Sequence, residues 1–301
     1  MVKLFMLNER RNTMNQEVTS ISSSSVLVDL NIAMWTARKN DKRVSEEIDI
    51  AKNTKAKSGN FHKKLFAGNN ALDEMQKFVT QVRTYHYNNT LPWSDAGTRL
   101  LVMGRFMEYN TKMREFESEF DALKQKFLEN YNAMISTSAF TLGELFNRED
   151  YPNPDVIAHK FYFKYEYMPV PQSGDFRVDI SNEGIQELVG RYESQFETRV
   201  KTAMQDAWTR LHECLTRMSE RLDYQEDKDK KIFRDSLVDN AIELIDMLKC
   251  MNITNDPELE RSRVQLEKAM FGVSAKELRE EVDTRSHVKA EVDDILKRMS
   301  F

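Results

Sequence analysis

The spacing of apolar residues along this chain changes period several times. VLVDLNIAMW alternates, with Val26, Val28, Leu30, Ile32 and Met34 on one side and Asp29 and Asn31 on the other, the two-residue period of a half-buried strand, with a helix beginning near Trp35 as the alternative. Residues 36 to 64 show no apolar period and read as solvated helix and loop. From 70 to 86, Leu72, Met75, Phe78, Val79 and Val82 recur at helical spacing. Pro92 cannot continue that helix. In LPWSDAGTRLL, Ser94 or Asp95 can accept hydrogen bonds from the first free amides of a following helix, and Trp93 can pack on its first turns. Phe106, Tyr109, Met113, Phe116, Phe120, Leu123, Phe127 and Met134 then follow in steps of three and four, with only Asn130 out of character. This heptad seam predicts a helix over 95 to 145, ~75 Å long at 1.5 Å per residue, with a second helix laid against it.

NREDYPNPDV, with two prolines and four Asn or Asp residues, stops any helix. HKFYFKYEYMPVP alternates, placing Phe161, Phe163, Tyr165 and Tyr167 on one face, and DFRVDI alternates again after Ser173 and Gly174. Together they predict a β-hairpin at about 159–180 whose aromatic face packs on helices or on the first strand. A second long helix is expected from 182 to about 224, through Ile185, Leu188, Tyr192, Phe196, Val200, Ala203, Ala207, Leu211, Cys214, Met218 and Leu222, as the antiparallel partner of the first. Further helices follow over 231 to 251, after the cap Asp256 with Pro257, and after the capping-box pair Ser274 and Glu277, with Gly272 as a stop. The expected fold is mainly α: a coiled-coil-like pair of long antiparallel helices, a small β insertion and a C-terminal helical region. Its divisions are a mobile leader over 1–25, in which Met14 is an alternative start, then 26–228, then 229–301.

Composition agrees with helix. Of 301 residues, 31% are charged and 40% hydrophobic, and only 9 are Gly and 6 Pro, too few turn residues for a many-stranded fold. The length buries a sizeable core without disulfides or metal. Cys214 and Cys250 sit within helical apolar patterns and read as packed, reduced thiols, which fits a cytoplasmic protein. No apolar run approaches the ~20 residues that span a bilayer, so no membrane partner is expected.

The five histidines are scattered, and His212 and Cys214 point to different helix faces, so no zinc site is expected. Glu117 with Asp121 and Glu280 with Asp283 sit one turn apart, as solvated helix faces produce by chance. The chain lacks the phosphate-loop, nucleophile-elbow, zincin and dinucleotide signatures. No catalytic residue, cofactor or metal is therefore assigned. A net charge of -5 argues against a protein dominated by phosphate contacts, yet 38 to 64 holds nine Lys or Arg against four Asp or Glu, the most basic part of the chain. The aromatic run 161 to 167 with Lys160 and Lys164 also matches a base-stacking platform, although its alternation suffices for a buried sheet face.

Several short motifs carry a resemblance. Trp35-Thr36-Ala37-Arg38-Lys39 with Asp41, Gly59-x-Phe61 with Lys63 and Lys64, Thr90-Leu91-Pro92-Trp93 with Gly97 and Arg99-Leu100-Leu101, Asp150-Tyr151-Pro152, and Asp175-Phe176-Arg177-Val178 together resemble a family of tailed-phage and prophage proteins over about residues 26 to 180. That family has no established activity, so the resemblance implies a place, the cytoplasm of an infected bacterium, and no catalytic role. Related proteins encoded near MoxR-like AAA+ ATPases and von Willebrand factor A proteins imply an adaptor or assembly role. The resulting expectation is a non-enzymatic phage protein that self-associates and contacts a phage or host protein, such as a AAA+ ATPase, as adaptor, assembly factor or inhibitor. The alternative is a nucleic-acid-binding protein of replication or host takeover using 38 to 64. The candidate contact residues are Trp35, Arg38, Lys39, Lys42, Arg43, Lys63, Lys64, Trp93 and Arg99.

Overall fold

The computed structural model describes residues 21–172, 182–224 and 231–299, which are mostly helical with a small antiparallel sheet. They divide into two compact units. The larger takes 21–29, 88–107 and the described residues from 167 onward; the smaller takes 30–87 and 108–166. Strands β1 (Ser25–Ala33) and β6 (Tyr162–Pro169) and the helix α3 (Phe106–Leu142) each carry the chain from one unit into the other.

The strand expected at 26 to 34 is β1. The end of the supposed mobile leader is ordered: residues 21–24 are helical, and Ile21 is buried. Ser25, the last residue of that leader, begins β1, and residues 1–20 lie outside the described residues. The helix expected at 70 to 86 is α2 (Ala71–Asn89), with Met75, Phe78, Val79 and Val82 buried.

The stretch after it departs from expectation. No helix begins at Asp95. Instead β4 (Leu91–Pro92) and β5 (Arg99–Val102) pair antiparallel, Leu91 opposite Leu100 and Pro92 opposite Arg99. Gly97, at φ +103°, makes the intervening turn, where the Ser94 N–H donates to the Thr98 carbonyl and the Gly97 N–H to the Ser94 carbonyl. A left-handed residue costs little at Gly and stops a helix there. β5 then pairs with β1, Ser25 opposite Val102, giving the strand order β4-β5-β1-β6. A 3-10 turn at Met103–Arg105 leads into α3, so Ser94 and Asp95 cap nothing and the helix starts at Phe106.

Along α3 the seam is buried as its spacing predicts, at Tyr109, Met113, Phe116, Phe120, Phe127 and Met134, and Tyr131 is buried where Asn130 is exposed. Its filling is the correction. Rings of the same unit occupy it: Tyr85 meets Tyr109 at 5.9 Å, Phe78 meets Phe116 at 5.8 Å, Phe163 meets Phe120 at 5.7 Å and Phe161 meets Phe127 at 5.3 Å. After the short helix α4 (Pro154–Ala158), the second long helix, α5 (Asn182–Leu222), belongs instead to the core of the larger unit.

That core joins Leu27, Leu91, Trp93 and Leu100 to α5 and to the C-terminal helices α6 (Ser236–Met251), α7 (Pro257–Met270), α8 (Ala275–Glu280) and α9 (Val282–Arg298). The end signals read for these C-terminal helices are all used. The Asp256 carboxylate accepts from the amides of Glu258 and Leu259, Gly272 sits at φ +70°, and Ser274 and Glu277 form the capping box. Arg285 is buried, 3.9 Å from the Tyr224 ring, and donates to the carbonyls of Tyr224 and Leu278, tying the chain after α5 to the end of α8. Of the hairpin expected at 159–180, β6 is present, with Phe161 and Phe163 buried and Tyr162 and Lys164 exposed; the second strand lies outside the described residues.

Candidate functional site: a basic hairpin and helix

The segment 36 to 64, expected as helix and loop, contains two strands. β2 (Arg38–Asp41) and β3 (Phe61–Lys64) pair antiparallel around α1 (Lys42–Ala51), with Arg38 opposite Lys64, Lys39 opposite Lys63, Asn40 opposite His62 and Asp41 opposite Phe61. Alternation sorts the charges by face. On one face Lys63 is 6% exposed. Its Nζ lies 3.2 Å from an Asp41 carboxylate oxygen and 2.8 Å from one of Asp150, and donates to the Leu145 carbonyl at 2.7 Å. All three ammonium donors have acceptors, so Lys63 is spent within the fold. Lys39 approaches the other Asp150 oxygen at 3.9 Å.

The pair Arg38 and Lys64 lies on the opposite face, exposed, as like charges directly across a ladder, an arrangement that costs stability. Asp41 turns the strand into α1, its carboxylate accepting from the Val44 N–H at 3.2 Å, and the Ser45 hydroxyl binds back to the Asp41 carbonyl and accepts from the Phe61 N–H. The first turn of α1 carries Lys42 and Arg43 and no acidic residue, the sign that its macrodipole disfavours. Past α1, residues 51 to 60 are exposed throughout and add Lys52, Lys55 and Lys57. Arg43 reaches Glu47 at 3.6 Å. Arg38, Lys42, Lys52, Lys55 and Lys64 have no carboxylate within 4.0 Å among the described residues.

Two pKa shifts belong to the inner face. The Val44 amide holds the Asp41 carboxyl below its ordinary 3.8 against the opposing effect of burial, and Lys63 lowers it further. Burial works against the Lys63 ammonium, but the carboxylates of Asp150 and Asp41 outweigh it and raise its pKa above 10.5.

Of the candidate contact residues, Arg38, Lys39, Lys42, Arg43, Lys63 and Lys64 are brought together, with Lys63 turned inward. Trp35 and Trp93 are elsewhere. Trp35 is 9% exposed, its ring 5.9 Å from Phe66 and 6.0 Å from Tyr131. Trp93 is 3% exposed and meets Phe196 of α5 at 5.3 Å, so it staples β4 to α5 and not to the helix that follows it in sequence. Arg99 is half-buried on a strand, where its guanidinium donates to the Thr90 hydroxyl at 2.7 Å and carbonyl at 2.9 Å. Phe161 and Phe163 are buried and offer no stacking platform.

No family model, curated protein or solved structure matches the chain. Some of the motif residues lie together, whereas those from Thr90 to Leu101 belong to the larger unit and Asp175 to Val178 lie outside the described residues. Trp35, Lys39, Asp41, Lys63, Asp150 and Tyr151 all fall in the smaller unit, and Tyr151 donates to the Leu65 carbonyl at 2.6 Å just past β3. These motif residues build the support of the hairpin and leave its outer cations to solvent. Among the described residues no three His, Cys, Asp or Glu side chains gather into a group able to hold a metal ion, and no helix is long and apolar enough to cross a membrane.

One residue escaped the sequence reading. Phe140, near the end of α3, is 90% exposed. It lies off the seam that continues through Tyr131, Met134 and Ser138, and an aromatic out of register with its own helix was the available signal.

Proposed function

We propose that this chain is a non-enzymatic binding protein of the tailed-phage type its motifs resemble, and that its outer 38 to 64 surface holds nucleic acid through phosphate contacts. The supporting observation is the set of exposed cations without ion-pair partners, Arg38, Lys42, Lys52, Lys55 and Lys64, on one small unit of a chain whose net charge is -5. Cations placed against each other and against a helix dipole raise the folded state's free energy, and a polyanion relieves that repulsion. Fluorescence anisotropy with a labelled oligonucleotide tests the reading. Binding should be measurable near 50 mM salt and fall steeply by about 200 mM as counterion release loses its drive. No binding of single- or double-stranded DNA or RNA at the lower salt removes it.

A second reading, contact with protein, is favoured by Phe271 and Ile232, exposed at 87% and 85% in the larger unit. It covers self-association and an adaptor, assembly or inhibitory role toward a phage or host protein, a AAA+ ATPase among them. Light scattering over a concentration series should then show an oligomer, or a pull-down from infected cells a stoichiometric partner. A concentration-independent monomer that retrieves nothing rejects it.

A further inference from the structure

Among the described residues Phe140 is the most exposed of the large apolar side chains, at 90%, and three contacts place its end of α3 against the basic segment, at the inner face of the hairpin and the start of α1. Arg43, in the first turn of α1, directs Nη2 to the Glu144 carbonyl at 3.5 Å. The Lys63 ammonium reaches the Leu145 carbonyl at 2.7 Å. The methyl of Thr141, next to Phe140, lies against Gly68, 3.8 Å from where a β-carbon there would sit, and Gly68 is four residues past Lys64. All of these residues belong to the smaller unit. α3 ends at Leu142 and Gly143 turns away at φ +52°, so the ring stands on the last turn of a rigid helix. Ile50, 76% exposed on α1, adds a second apolar group to the same basic segment.

Exposed cations alone bind any polyanion. An aromatic ring beside them has a use only where the polyanion presents an apolar face of its own. In a duplex the base faces are covered by their neighbours, whereas in a single strand they are free and stack on aromatic side chains with little regard to sequence. We infer that the basic segment and Phe140 form one site for single-stranded nucleic acid: Lys42, at the start of α1, holds a phosphate beside the base that stacks on the Phe140 ring, and Arg38 and Lys64, on the outer face of the hairpin, hold phosphates farther along the strand. This rests on the nucleic-acid reading above and narrows it.

The test compares a 20-nucleotide single strand with a duplex of the same length, by anisotropy, on the wild type and on Phe140→Ala, Phe140→Trp and the double variant Arg38→Glu/Lys64→Glu. Because Phe140 is in solvent, its variants should unfold at the wild-type temperature. The wild type is expected to prefer the single strand. Phe140→Ala should lower single-strand affinity about tenfold, leaving duplex affinity and the salt dependence of both unchanged. Phe140→Trp should keep the preference, with its new indole emission quenched by the single strand. The charge variant should lose both ligands. Equal wild-type affinity for the two, or a Phe140→Ala effect that is absent or the same for both, overturns the stacking site and leaves the phosphate reading standing. Failure of the wild type to bind either ligand overturns both.

Discussion

Trp93 and Lys63 show how much a single buried side chain carries. Trp93 is 3% exposed between Phe196, met edge-on, and the Arg199 guanidinium 6.0 Å above its ring, and its indole N–H has no hydrogen-bond partner among the described residues. Truncation to Ala should destabilise by ~3 kcal/mol or more through the cavity it opens. Trp93→Phe should cost much less, because it keeps an aromatic ring against Phe196 and removes the unsatisfied donor. Urea unfolding of the two variants checks this, and equal losses would show that the indole's size alone matters. For Lys63, replacement by Met leaves Asp41 and Asp150, both little exposed, without their shared cation, and should cost about 3–5 kcal/mol. The pH dependence follows from the signs. Asp41, with its pKa lowered from 3.8, contributes stability that is present above that value and lost as pH falls through the lowered one. Lys63, with its pKa raised from 10.5, contributes stability that is present below that value and lost only as pH rises through the raised one. The difference between wild type and Lys63→Met should therefore be flat from about pH 5 to 10 and shrink at both ends. A thermal-unfolding series over pH measures it.

Among the elements, the β2–β3 hairpin separates structural from binding roles most cleanly. Arg38 and Lys64 face each other across the ladder. Reversing either one to Glu turns a repulsive pair into an attractive one, worth about 0.2–1 kcal/mol in favour of the fold. The same change should weaken nucleic-acid binding and reduce the salt slope by roughly one phosphate contact. A variant more stable than the wild type and yet poorer in binding is the expected outcome; unchanged affinity would place the contact surface elsewhere. Elsewhere, α5 illustrates an element read well from its own pattern and yet poorly as to its partner. Its apolar stripe through Phe196, Val200, Ala203, Ala207, Leu211 and Met218 is buried as expected, and so is Leu215. It is covered by the C-terminal helices and the β4–β5 hairpin of the same core.

At the scale of the whole molecule, two facts organise behaviour. The chain is acidic, yet a stretch of 27 residues within it, 38 to 64, is strongly basic. The larger unit, moreover, is assembled from segments far apart in sequence, so the C-terminal helices do not form an independent piece. Leu211, Leu215 and Met218 on α5 share one core with Leu248, Leu266, Val288 and Ile295, all fully buried. A chain ended after residue 228 uncovers that stripe and is expected to aggregate or lose cooperative unfolding, as gel filtration and calorimetry would show. A truncated chain that stays monomeric and melts sharply would mean that 26–228 folds without the C-terminal region.

Apolar period and end signals, both local, determine most of the elements: β1 from its alternation, the buried faces of α3 and α5 from their three- and four-residue steps, and the caps at Asp256 and Ser274 from side chains that bind amides two or three residues away. These forces act within a few residues, so the sequence displays them directly. Where local and non-local preferences competed, only the tertiary structure decided. Residues 91 to 102 carry a helix-start signal, but Gly97 permits a tight turn and β1 supplies a ladder for Arg99 to Val102, so strand pairing prevailed over capping. The heptad seam specifies that a face is buried and leaves open what buries it, because aromatic rings from several elements fill it as well as one helix does. The basic segment was legible as charge. Which of its cations face solvent followed from strand register and from Asp150, 87 residues beyond Lys63 in sequence, and the exposure of Phe140 followed from where the smaller unit's core came to an end.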